Sequence, residues 1–233
     1  MPKKTKKIIA YHFTNDKLRD GRPIPPIGKW LEETGELRLC VKGLHASRTP
    51  FQALAHAPGL NLHRVEIEDI AAEYDDKLVA RRRRILATID AKDLILEFAR
   101  KQALSMIHLY DCPPVLKKWL ETGDPALQKT AANAANSAAN AASAAYYAAS
   151  AANANSAANA ASDTYYAASA AYYAASAANA YYDATDAANS AANAASAAYY
   201  AASAANAYYA VDTRKKAAAT FNKAIQRAFR EAK

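Results

Sequence analysis

An α+β head followed by an all-α region, the latter an alanine-rich helical repeat array, is the fold class this 233-residue sequence predicts. Three observations lead to it. Before about Thr130 the composition is that of an ordinary globular protein, with Trp, Phe, branched aliphatics and both signs of charge. From Ala131 to Val211 it is mostly Ala with Asn, Ser and Tyr. Within that stretch the block AASAAYYAASAANA occurs at 141–154, 167–180 and 194–207, at offsets of 26 and 27 residues. The chain accordingly divides into a head (1–90), a helical connector (91–130), the array (131–211) and a basic C-terminal capping helix (212–233).

In the head, KKIIAYHF (Lys6 to Phe13) is rich in β-branched and aromatic residues and predicts a first strand. RDGRPIPPIGKW, punctuated by Gly and Pro, predicts a loop. ELRLCVKG (Glu36 to Gly43) alternates and predicts a second strand. SRTPFQALAHAPG predicts a short helix capped by Thr49, with Pro50 in its first turn and a stop near Pro58 and Gly59. LNLHRVEIED (Leu60 to Asp69) and KLVARRRRILATI (Lys77 to Ile89) predict two more strands.

In the connector, Asp90 and Asp93 mark a helix start, and DLILEFARKQALSMIHLY has apolar residues at roughly helical spacing. His108 reads as a core or boundary residue of that helix. Pro113 and Pro114 break it; VLKKWLETG forms a further helix ended at Gly123. Asp124 and Pro125 then open a helix that runs into the array without a stop.

The array has no Gly or Pro, and Ala has the highest helix propensity. Its decorations at Asn133, Asn136, Asn140, Ser143, Tyr146, Ser150 and Asn153 recur about every 3.3 residues, short of the α-helical 3.6, so the stripe drifts by roughly 30° per turn. Three arrangements answer this drift: a tight left-handed supercoil, short stacked helices broken near 153–156, 162–164 and 183–186, or a non-helical solenoid. The repeat length suits a helix pair, which favours the broken, stacked form. Tyr pairs at 146/147, 165/166, 172/173, 181/182, 199/200 and 208/209 supply most of the apolar area, one ring of each pair packing and the other facing out. Outward Tyr146, Tyr147, Tyr172, Tyr173, Tyr199 and Tyr200, with Asn and Ser, suit a protein partner or self-association. The C-terminal helix carries Phe221, Ile225 and Phe229 on one stripe, expected to dock on the array.

The net charge of +8 lies at the two ends of the chain, a balance that favours acidic partners such as nucleic acid. Arg81, Arg82, Arg83 and Arg84 are candidate phosphate contacts, although strand alternation sends two to each face. Cys40 and Cys112 have neither zinc-site nor disulfide-framework spacing, so no metal site is expected. No apolar run reaches membrane-spanning length, and a cytoplasmic protein is expected.

The candidate chemistry lies in two histidines near strand ends, His12 in YHF and His45 in GLHAS, each able to serve as acid, base or donor. Tyr11, Arg22 and Ser47 are candidate ligand contacts beside them. A strand bearing YH, then GLHAS and a short helix, resembles ADP-ribosyltransferase-like domains, RNA 2′-phosphotransferases among them. The resemblance implies that His12 and His45 hold NAD. The catalytic Glu of many such transferases has no clear counterpart here, Glu66 and Glu68 being the nearest candidates. Over a longer span, YHF, LRDGRPIP, GKWL, GLHAS and DDKLVARRRRIL followed by an alanine-rich tail resemble a group of phage and prophage proteins. That resemblance implies a viral origin and the host cytoplasm.

The leading expectation is therefore a phage-type interaction or assembly protein whose array self-assembles or captures a host or viral partner, in counter-defence or in the virion. The alternative is an ADP-ribosyltransferase-like enzyme or NAD-binding domain. Nucleic-acid binding is the third reading.

Overall fold

The computed structural model describes residues 7–38, 41–151, 155–179 and 207–232, with a few single positions between 190 and 200. The chain divides into two compact units, residues 1–92 with 221–233, and residues 93–220.

The first unit is built on a five-stranded antiparallel sheet: β1 (Ile8–Thr14), β2 (Trp30–Glu32), β3 (Leu44–Ala46), β4 (Asn61–Glu73) and β5 (Leu78–Asp90). β1 pairs with β4, β4 with β5, and β5 with both β2 and β3. Just beyond β3, Ser47 and Tyr11 exchange two backbone hydrogen bonds of 2.8 Å. β3 thereby returns to β1, and the sheet curls so that His12 and His45 border the same space. One aliphatic cluster of the core holds Ala10, Ala46, Val65, Ile67, Leu78, Ala80 and Ile85, buried together.

Three of the strands predicted from sequence are present; the second is not. Over the described part of Glu36–Gly43 the backbone makes a tight reversal instead, with Arg38 and Lys42 bridged and the Lys42 N–H donating to the Arg38 carbonyl. Strands form on either side of it, β2 and β3, where a partner on β5 is available. WLE joins the sheet although its surroundings are rich in Gly and Pro, because Trp30 lies opposite Arg84 and stacks on it.

Helix α1 (Pro50–Leu54) starts as predicted: Thr49 Oγ1 accepts from the Gln52 N–H, and Gln52 Oε1 accepts from the Thr49 N–H. A further N-terminal donor, the Phe51 N–H, is met by Asn222 Oδ1 at 2.9 Å. Asn222 belongs to the C-terminal helix (Ala207–Glu231). Phe221, Ile225 and Phe229 are buried, Phe221 against Phe51 and Phe229 against Tyr11. The expectation that this stripe docks on the array is thus corrected. Aromatic rings on the head offer it far more apolar area than alanine methyls would.

The second unit holds α2 (Lys92–Leu104, from Asp93 on), α3 (Pro114–Thr122), α4 (Gln128–Ala151) and α5 (Asn155–Asn179). Asp90 Oδ1 accepts from the Lys92 N–H at the start of α2, and Gly123 ends α3 in the left-handed region at φ 70°. α4 and α5 form an antiparallel hairpin, with Gln128 at the start of α4 donating to the Ala178 carbonyl near the end of α5. Between them Ala131, Ala135 and Ala142 of α4 and a run from Ala167 to Ala171 of α5 are buried. α4 is described to Ala151 and α5 from Asn155, and residues 152–154, at the break expected near 153–156, lie outside the described residues. No break occurs at Ser162–Thr164, where α5 runs through continuously, the Thr164 hydroxyl donating to the Leu109 carbonyl. The break expected at 183–186 lies outside the described residues, as does Cys40.

Candidate functional site

β1 and β3 bring the two predicted histidines to one cavity of about 290 Å³ inside the first unit. All five ligand-site residues expected from sequence border it: Tyr11, His12, Arg22, His45 and Ser47. Arg83, one of the four arginines chosen as phosphate contacts, borders it too, and four others that sequence reasoning did not select join with polar or charged groups: Arg19, Asp20, His56 and Lys77, with Thr14 beside His12.

Each residue arrives by a local cause. His12 and Thr14 share one face of β1 by the two-residue period of a strand. On the neighbouring strand His63 is opposite His12, their rings stacked with centroids 6.5 Å apart. His63 is locked between two hydroxyls, Thr14 Oγ1 at 2.8 Å and Thr88 Oγ1 at 2.7 Å. Burial first, then the charge of Arg83, lowers its pKa to about 4, so it is a neutral strut beneath the site. His12 is driven well below the ordinary histidine range by burial, then by Arg83, His63 and His45. Its ring makes no hydrogen bond to another described residue, which leaves both nitrogens to whatever fills the cavity. His45, held in place by Gly43, is shifted down chiefly by burial. Gly43 has φ 135°, and a Cβ there would lie 2.2 Å from Val79 Cγ2, so only glycine lets the chain turn into β3 at this point.

Tyr11 borders the cavity by closing it. Its backbone bonds Ser47, and its ring centroid lies 6.3 Å from that of Phe229. Arg22 is clamped: its guanidinium meets Asp20 at 2.6 Å and also Glu33, so its charge is largely balanced. His56 pairs with Asp76 at 2.7 Å on the rim.

The arginine run does not form one patch. Arg82 and Arg84 lie over Trp30 at 4.6 and 4.8 Å and pair with Glu68 and Glu66 opposite them on β4. Lys7 completes that lattice through Glu68 at 2.6 Å. Arg81 pairs with Asp69 at 3.2 Å and donates to the carbonyls of Glu33 and Gly35. Arg83 alone of the four is buried, 5% exposed, and lines the cavity. Its Nη1 donates to the His45 carbonyl at 2.5 Å, and no carboxylate among the described residues lies within ion-pairing distance. The sequence signal for it was the strand period, which separates Arg83 from Arg82 and Arg84. Glu66 and Glu68, the nearest candidates for a transferase carboxylate, belong to the Trp30 lattice and do not line the cavity.

In the second unit, Tyr147 is 68% exposed and Tyr172 38%, while Tyr146 and Tyr173 are partly covered. Rings contact one another from Tyr147 through Tyr146, Tyr165 and Tyr166 to Tyr200, with centroids 5.3 to 6.0 Å apart. Tyr199 lies outside the described residues. Among the described residues no group of His, Cys, Asp and Glu could hold a metal ion, and no helix is long and apolar enough to cross a membrane.

Fold and site together define an antiparallel sheet curled round a cationic, histidine-lined cavity. Residues 8–97 match a family described as a domain of unknown function (DUF7666), a span that holds every residue lining the cavity. No curated protein and no solved structure matches the chain.

Proposed function

We propose that the head is a ligand-binding domain for a nucleotide of the NAD class. The observation that carries this reading is the meeting of His12, His45, Ser47 and Arg22 in one cavity of a size suited to a small ligand. A likeness to ADP-ribosyltransferase-like domains supplies the ligand class. The geometry favours binding without transfer, because Asp20, the one carboxylate lining the cavity among the described residues, is already engaged by Arg22. Calorimetry of the full chain with NAD tests the binding, and intact-mass measurement of protein and RNA targets after incubation with NAD tests the transfer. Saturable heat without added mass is the expected result; no heat with NAD, ADP-ribose or AMP removes the reading.

A second reading concerns the helical unit: a phage-type interaction protein in the host cytoplasm whose Ala/Tyr repeat array self-assembles or holds a host or viral partner. Its support is the exposure of Tyr147, Tyr172 and Tyr200 on a helical surface poor in charge, where α4 and α5 carry only Lys129 and Asp163. Light scattering after size exclusion tests assembly. A monomer at every concentration, unchanged by Tyr147→Ala, would end the self-assembly form of this reading.

A further inference from the structure

Resting on the reading of the cavity as a nucleotide site, we infer that the Arg83 guanidinium seats a phosphate group of the ligand, with the His12 imidazole as its neighbouring hydrogen-bond partner. The starting point is a charge without a counter-ion. Burying a cation costs several kcal/mol unless an anion and hydrogen bonds compensate it. Arg83 is buried, keeps a single side-chain bond among the described residues, to a neutral carbonyl, and feels the repulsion of Arg22 and the attraction of Asp20 and Glu33 only at longer range. Burial brings its pKa down to about 10, which still leaves it a cation at neutral pH. The three other members of its run all have carboxylate partners. The protein could therefore have paired this position and does not.

Charge count then selects the class of ligand. Arg19 and Lys77 also line the cavity and have no carboxylate partner among the described residues, so three cations surround a space with no free anion. One carboxylate would balance one of them; a phosphate or pyrophosphate balances two or three. The planar guanidinium matches a phosphate with paired N–H donors, and its Nη1 bond to the His45 carbonyl fixes its orientation before the ligand arrives. His12, on β1, lines the same cavity as Arg83 and His45, stacks on His63 of β4, and has neither ring nitrogen bonded to another described residue; the charges of Arg83, His63 and His45 all act on it. It can donate one N–H to a phosphate oxygen as a neutral imidazole. An arriving dianion offsets the repulsion from Arg83 and favours a second proton on the ring, so binding strengthens as pH falls.

The test pairs ligands that differ only in phosphate. Full-length protein is titrated by calorimetry with NAD, ADP-ribose, AMP, adenosine and inorganic pyrophosphate. The inference expects AMP to bind at least about tenfold more tightly than adenosine, given roughly 1.5–3 kcal/mol for charge-assisted hydrogen bonds. Arg83→Gln should weaken AMP about tenfold or more and leave adenosine unchanged, with its thermal unfolding followed in parallel. Lys77→Ala, on the rim, should cost a few-fold that vanishes in high salt. Equal binding of AMP and adenosine would overturn the phosphate seat and leave the nucleotide reading standing. Pyrophosphate binding that requires Arg83, with no added affinity from the nucleoside, would uphold the seat and overturn the nucleotide reading. No binding of any probe would overturn both. Should Arg83→Gln fail to fold, the comparison of AMP with adenosine on the unaltered chain still decides.

Discussion

The two faces of β5 treat the same residue type in opposite ways. On one, Arg82 and Arg84 stack on Trp30 and meet Glu68 and Glu66, with Lys7 closing the lattice. On the other, Arg83 is buried beside histidines with no acidic partner in ion-pairing reach among the described residues. A strand sends neighbours to opposite sides, so one unbroken RRRR run serves both faces. The first face is built for stability. The second retains a charge whose compensation has to come from a ligand.

The largest expected break in this comparison is Glu68→Ala. Glu68 is buried and bonds both Lys7 and Arg82, so its loss leaves Arg82 without its nearest anion and costs about 3 kcal/mol in urea unfolding. Acid separates the faces next. Histidine at ordinary pKa binds protons more readily in the unfolded chain than His63 does at about 4, so stability falls as pH drops from 6.5 towards 4, by about 3 kcal/mol for a shift of this size. His12 and His45 are shifted in the same direction and add to the same window. Glu68 is shifted down by its bond to Lys7 first, so the paired face holds through that window and weakens only below about pH 4.5, where a carboxylate in the unfolded chain takes up its proton. His63→Gln should remove its share of the fall in the upper window, leaving that of His12 and His45, and should leave the lower window unchanged, in melts recorded across pH.

Gly43→Ala should cost about 2 kcal/mol, through left-handed strain and the contact with Val79, and should displace His45. Arg83→Met, by contrast, should raise stability by about 1 kcal/mol in the absence of ligand, because an uncompensated charge gives way to an apolar side chain of similar length. An opposite sign to Glu68→Ala is the point of that experiment. Tyr147→Ala, on the exposed side of α4, should move stability by less than about 0.5 kcal/mol and so calibrates the others.

Much of the head was legible in the sequence because its signals are local. YHF and the two long alternating runs are strands, and Thr49 with Pro50 gave the start of α1. The histidines were visible as chemistry near strand ends, but their meeting depends on the Tyr11–Ser47 bridge, a long-range pairing that no local pattern encodes. β2 was hidden for the same reason: three residues become a strand only because Trp30 finds Arg82 and Arg84 across the sheet. Arg83 was read as one quarter of a basic run. Strand period separates it from its neighbours, and only packing shows that its side is the buried one. In the second unit, the near-uniform alanine sequence hides the continuity of α5 through Ser162–Thr164.

The central claim, that Arg83 awaits an anion, is tested most directly by thermal unfolding of the unaltered chain and of Arg83→Met in rising concentrations of inorganic pyrophosphate. A ligand that binds only the folded state raises the midpoint progressively as its concentration passes the Kd. The account predicts that rise for the unaltered chain and a flat line for Arg83→Met. A flat line for both, or the same rise in both, would contradict it.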